Sequence, residues 1–236
     1  MTLGEMDIQL TSLLMEFEGE SGYGDPIGRQ LILRRVTDQF AQDTDAFWYS
    51  FQAPVTDGQA AYCCPALYKL RSLNYFDSSG VWHPLLGRTV GGIERSGGAT
   101  WRNRTSVPIP SYALIEGMNR IVLSPPPLVP TIASPLVQPL IEFEGFGIPS
   151  KAFQSDGVTP LFAILTDECP LNSVCHDGIV YRALCIRAGI QRPTPENRAR
   201  IEMASREADR YLGNLAAFAQ NYAPPYRFDK RYRVVR

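Results

Sequence analysis

Residues 194–222 read TPENRARIEMASREADRYLGNLAAFAQNY. Ile201, Ala204, Ala208, Tyr211, Leu215, Phe218 and Tyr222 recur at alternating steps of three and four, which predicts a long helix with one apolar seam. Pro193-Thr194-Pro195 breaks the chain before it and supplies its cap. Ala204 and Ala208 are small enough for a neighbouring helix to approach closely, and Glu202 and Arg206 form an i,i+4 pair on another face. A single helix cannot bury such a seam alone, so the rest of the chain must supply partners. The segment after this helix, APPYRFDKRYRVVR (223–236), cannot extend it: Pro224-Pro225 enforces an extended exit.

The partner helices are legible at both ends. Upstream, Cys175, Ile179, Ala183, Ile186 and Ile190 keep the helical period, and Gly189 loosens the end. At the start, Thr2-Leu3-Gly4-Glu5 has capping-box spacing, and Leu3, Met6, Leu10, Leu13 and Phe17 share one face. A loop comes next, near Gly19. Asp25-Pro26 then restarts a helix with Ile32, Leu33, Val36 and Phe40 as its buried side, and Arg29, Arg34, Arg35 and Gln39 on the rest. That helix should end between Asp43 and Phe47.

From 48 to 165 the texture is strand-like. Residues 67–76 form the clearest strand, Asp77-Ser78-Ser79-Gly80 a turn, and Val81-Trp82-His83 the return. Residues 106–115, 120–123 and 136–143 are further strands. The prolines at 125, 126 and 127 belong at an edge or between strands. The expected fold is therefore α+β. It has a four-helix bundle, in halves 1–47 and 166–222, an inserted β-sandwich or small barrel at 48–165, and an extended arm at 223–236.

The bulk numbers exclude several classes. The 236 residues suffice for a sizeable core. A formal net charge of -1 gives no global pull toward nucleic acid or anionic membrane, so any such binding needs a local patch. No leader of basic residues plus an apolar run is read, nor an apolar stretch long enough to span a bilayer. Five cysteines, two of them adjacent at 63 and 64, make a poor disulfide framework and suit a reducing compartment.

Catalytic signals are weak. Cys175-His176-Asp177 holds the residue types of a cysteine hydrolase, but consecutive helical side chains diverge by about 100° and cannot line up as nucleophile, base and orienter. Cys169, Cys175 and His176 lack a zinc-site spacing, and His83 stands apart. Residues 87–98 are glycine-rich without the Lys-Ser/Thr of a phosphate loop. They carry Arg88 and Arg95, with Arg102 and Arg104 just beyond, and read as a docking loop or a solvated hairpin. Glu142 and Glu144 share a strand face, as glycosidase carboxylates would, though the plainer reading is a solvent face. No cofactor or metal site is read.

The arm is the stronger signal. Arg227, Lys230, Arg231, Arg233 and Arg236 stand against Asp229, interleaved with Tyr226, Phe228 and Tyr232. Arginine and tyrosine are enriched at protein interfaces, so a partner protein is the first reading. Single-stranded nucleic acid and a plain solubilising tail are the others.

The order of these features resembles the head-to-tail adaptor, or connector, proteins of tailed bacteriophages. The similarity lies in the helix start at Thr2-Leu3-Gly4-Glu5, then Gly58-Gln59-Ala60-Ala61-Tyr62, then a hairpin over 73–85 ending His83-Pro84-Leu85. It continues through Trp101 and Pro110-Ser111-Tyr112, the strand Asn119-Arg120-Ile121-Val122-Leu123 running into Ser124-Pro125-Pro126, and closing helices at 176–190 and 196–222. Residues 87–98 and 124–135 have no counterpart in that pattern. The resemblance implies a virion structural protein rather than an enzyme, made in the host cytoplasm and incorporated at the virion neck. It implies a homo-oligomeric ring, usually of twelve copies, under the portal protein. The ring receives a downstream tail or nozzle protein and passes DNA through its channel without reading it. The portal would be gripped by Tyr226, Arg227, Phe228, Lys230, Arg231, Tyr232, Arg233 and Arg236. Arg88 and Arg95, outside the resemblance, are read from the loop's own charge as a tail-side contact. The competing expectations are a β-sandwich module binding carbohydrate or another virion protein, and the cysteine hydrolase.

Overall fold

A computed structural model describes residues 1–18, 25–88, 105–115, 120–129, 138–154, 159–189 and 194–222. The fold is mixed α+β, and the chain divides into two compact units, Met1–Phe47 with Gly147–Pro224, and Trp48–Phe146 with Pro225–Arg236.

Among the described residues, the first unit holds four α-helices: α1 (Leu3–Glu18), α2 (Pro26–Thr44), α3 (His176–Gly189) and α4 (Pro195–Tyr222). Each of three starts is capped as its sequence demands. Thr2 N–H donates to Glu5 Oε2 at 2.7 Å while Glu5 N–H donates to Thr2 Oγ1 at 3.2 Å, a reciprocal capping box. Asp25 Oδ1 accepts from Gly28 N–H at 2.8 Å ahead of Pro26, and Thr194 Oγ1 accepts from Asn197 N–H at 3.3 Å ahead of Pro195. At the end of α2, Asp45 takes a left-handed φ of 54° and returns its N–H to the Ala41 carbonyl.

The buried faces differ in detail from the periodic reading. On α1 the fully buried residues are Leu3, Met6, Leu10 and Leu14, so Leu14 replaces Leu13. Steps of 3-4-4 follow the 3.6-residue turn more closely than 3-4-3 does. On α3, Ile186 is exposed, and Val180, Leu184 and Ala188 join Ile179 and Ala183 in the core. Ile190 and the side chains of Phe17 and Tyr222 lie outside the described residues. On α4 the buried stripe is Ala204, Ala208, Leu215 and Ala219, with Ile201 and Tyr211 half-buried and Phe218 exposed. Arg29, expected on the polar side of α2, is buried because its Nε bonds Asp7 Oδ1 of α1 at 2.8 Å. Pairwise, α4 packs on α3 and α2, and α3 on α1 and α2.

Among the described residues, the second unit holds eight strands in two sheets that do not close into a barrel. One sheet has the order β1 (Trp48–Pro54), β8 (Leu140–Gly147), β3 (Leu67–Phe76), β4 (Trp82–Pro84). The other has the order β2 (Ala61–Cys63), β7 (Arg120–Ser124), β6 (Tyr112–Ile115), β5 (Leu86–Arg88). β1 and β8 are antiparallel, with Ser50 opposite Glu144 and Gln52 opposite Glu142. In the second sheet β2–β7 and β6–β7 are antiparallel, whereas β5 and β6 run parallel. Leu67–Phe76 is a strand as predicted, and the turn after it is built by Asp77, whose Oδ1 accepts from the N–H groups of Ser79 and Val81. Strand β7 stops at Ser124, where the prolines begin.

The strand-rich region ends at Phe146, not at 165. Residues 149–151 form a short 3-10 turn held to α2, where Asp38 accepts from the Ser150 N–H at 2.9 Å and from its hydroxyl. Farther on, the Leu165 and Asp167 carbonyls accept from Gly4 and Leu3 of α1. These residues lack alternation and spend their backbone groups on helices, so they belong to the helical unit.

Candidate docking surfaces

Side-chain alternation on β8 separates two faces. Ile141 and Phe143 are buried, while Glu142 and Glu144 are half-buried on the opposite side. Both carboxylates are held by neutral donors. Glu142 accepts from Gln52 Nε2 at 3.2 Å, Ser50 Oγ at 3.5 Å and Asn74 Nδ2 at 3.0 Å, and Glu144 accepts from the Ser72 hydroxyl. The two glutamates thus sit in a hydroxyl and amide framework spanning β1, β8 and β3. Donors of this kind orient a carboxylate without cancelling its charge. The donor residues were not singled out from sequence. Their signal was the even-numbered spacing of Ser50 and Gln52, and of Ser72 and Asn74.

At the far edge of this sheet Trp82 is exposed and lies against Phe76, ring centroids 4.7 Å apart. His83 bonds Asp77 Oδ2 at 2.7 Å. Hydrogen bonds from Val81 and Ser79 and contact with His83 hold the Asp77 carboxyl below its ordinary range. His83 is therefore a turn-stabilising partner.

The cysteine and histidine pattern at the start of α3 resolves into structural contacts. Cys175 is buried and its thiol lies 3.1 Å from the Asn172 carbonyl. Burial drives its pKa far up, and pushes those of Cys64 and Cys169 up to about 11. Both nitrogens of His176 are engaged away from it, Nε2 with the Leu171 carbonyl at 3.0 Å and Nδ1 with the Met1 amino group at 3.1 Å. Asp177 accepts from Gln9 at 3.3 Å. The three side chains diverge, as consecutive helical positions must. Among the described residues, no three His, Cys, Asp or Glu side chains gather to hold a metal ion, and no helix is long and apolar enough to cross a membrane.

On the helical unit, Leu13, Leu184, Met203 and Ala204, with Glu16 and Arg200, are among the residues lining a groove among α1, α3 and α4. Arg88 ends β5, half-buried, with its backbone opposite Leu114. Arg95 lies outside the described residues, as do Arg102 and Arg104. So do Tyr226, Arg227, Phe228, Lys230, Arg231, Tyr232, Arg233 and Arg236 of the arm. The chain matches no protein-family model and no curated protein.

Proposed function

We propose that this chain is a head-to-tail adaptor of a tailed bacteriophage, a virion structural protein that docks under the portal through residues 223–236. The observation that carries the reading is the way the chain is threaded. Two helices from the start and two from the end join in one unit, and a strand-rich unit is inserted between the second and the third. We read the helices as a four-helix bundle and the two sheets as a β-sandwich, the layout that the resemblance implies. The helix α4 then serves as mount. Its buried stripe is narrow and mostly alanine, and its 28 residues run to Tyr222, next in sequence to the arm. In this reading the chains assemble as a ring, a tail or nozzle protein sits below it, and Glu142 and Glu144 keep passing DNA from adhering.

The test is reconstitution with the portal of the same virus. The full chain should form a stable ring complex with it, seen by light scattering and electron microscopy. A chain ending at 222 should retain its circular dichroism and fail to bind. Equal binding by the shortened chain overturns the role given to the arm. A monomeric or trimeric chain without portal affinity favours a carbohydrate- or virion-protein-binding module instead.

A further inference from the structure

The first turns of α2 carry an exposed apolar stripe. Ile27 and Leu31 are 78 % and 62 % exposed, and Arg35, also exposed, follows one turn on. At steps of four the three side chains lie along one side of the helix. The opposite side, with Leu33, Val36 and Phe40, is buried where α2 packs on α1, α3 and α4. A lone exposed leucine is ordinary on a protein surface. Two aliphatic side chains on successive turns, followed by an arginine, make the kind of helical ridge that fills a groove.

The same unit carries a groove of complementary character, about 300 Å³ in volume. Leu184 and Ala204 are buried at its base, Leu13 is half-buried, and Met203 is 67 % exposed beside them. The charged groups stand around this apolar base, as at a protein contact. Arg200 and Glu207 are paired along α4, with Glu196 at 3.4 Å and Arg210 at 2.8 Å, and α1 contributes the exposed carboxylate of Glu16. At 1.5 Å per residue, Ile27 to Arg35 spans about 12 Å of helix and Arg200 to Glu207 about 10 Å. The ridge and the groove therefore match in length, in polarity and in the sign of the flanking charge. No residue of α2 lines the groove, and α2 is held in the unit by its other side. Its ridge can enter this groove only in another copy of the chain.

We propose that α2 of one copy docks in the groove among α1, α3 and α4 of a second copy, with Ile27 and Leu31 on the apolar base and Arg35 against Glu16. Ridge and groove are different faces of one unit, so the contact is head-to-tail and repeats from copy to copy, closing into a ring where the rotation allows. The inference rests on the ring reading given above and names the surfaces that would join its subunits.

The experiment is light scattering and analytical ultracentrifugation of the full chain without portal. The unmodified chain should self-associate. Leu31→Glu and Met203→Glu both change exposed side chains, and each should weaken association about tenfold or more while circular dichroism stays native. An equimolar mixture of the two variants should form dimers and nothing larger, because one supplies an intact groove and the other an intact ridge. Arg35→Glu should weaken association as well, and Glu16→Arg in the same chain should restore it, which a folding defect cannot mimic. A mixture that stays monomeric overturns the proposal, as does a charge swap without rescue. Association indifferent to Leu31→Glu and Met203→Glu overturns these surfaces and leaves the ring reading standing. An unmodified chain that stays monomeric also overturns them, and ring formation on the portal then decides the ring reading separately.

Discussion

His176 illustrates how one buried side chain can set a pH limit. Its Nε2–H donates to the Leu171 carbonyl, so Nδ1 is the acceptor that meets the Met1 amino group. Burial is the largest cause that lowers its pKa from the ordinary 6.5. A depressed folded value means that the unfolded chain takes up the proton first. The contribution to stability is present above 6.5 and is lost as pH falls through the lowered folded value. Urea midpoints of the helical unit should therefore drop on acidification below 6.5, and His176→Gln should flatten that slope. The thiols make a second test at this scale. Cys63 is exposed, whereas Cys64, Cys169 and Cys175 are buried with raised pKa values. Iodoacetamide at neutral pH should modify Cys63 first and leave those three intact until unfolding; a fast-reacting Cys175 would revive the hydrolase reading.

Between elements, α3 and α4 approach closely at Gly178. A β-carbon there would stand 2.4 Å from Tyr211 Cβ, an atom fixed to the α4 backbone. Tyr181 and Tyr211 stack at 6.3 Å beside it, and Arg182 pairs with Asp209 one turn on. Gly178→Ala should cost about 1–3 kcal/mol by forcing the helices apart. Gly213, in the same hairpin, has nothing within 4 Å of its would-be β-carbon. There Gly213→Ala should gain roughly 0.5–1 kcal/mol from helix propensity alone. Denaturant titration of the two variants checks both signs. If Gly178→Ala proved neutral, the close approach of α3 and α4 would be wrong.

At the scale of the molecule, each unit has its own buried residues, and among the described residues the chain crosses between them at 47–48 and 146–147. Calorimetry should then resolve two transitions, and a substitution within one unit should move only one. Gly178→Ala serves for the helical unit. For the other, a β-carbon on Gly145 would lie 2.2 Å from the Lys69 carbonyl oxygen, a backbone atom that cannot swing aside. Gly145→Ala should lower the transition that Gly178→Ala leaves in place. A single transition shifted equally by both would show that the units unfold together.

The features that the sequence determined alone are local. Caps at Thr2, Asp25 and Thr194, the strand at Leu67–Phe76 and its Asp77 turn were all legible, because each depends on chemistry within a few residues. The mixed α+β class and the order of elements came from the periods of apolar residues. Tertiary structure decided the rest. Periodicity places a seam on a helix but not its width, so Leu14 in place of Leu13 and the narrow Ala204–Leu215 stripe depended on which neighbours pack there. Arg29 is buried because Asp7 meets it from another helix, a coincidence in space with no trace in spacing. The strand-rich region ends at Phe146 rather than at 165 for the same reason: residues 147–165 carry no period in sequence, and only the bonds that Ser150, Leu165 and Asp167 make to α1 and α2 show where this stretch belongs. The carboxylates of Glu142 and Glu144 were visible as a pair, but Gln52, Asn74 and Ser72 became their partners only when β1, β8 and β3 came side by side. Contacts between residues far apart in sequence are set by strand order and helix packing, and no short-range pattern encodes them.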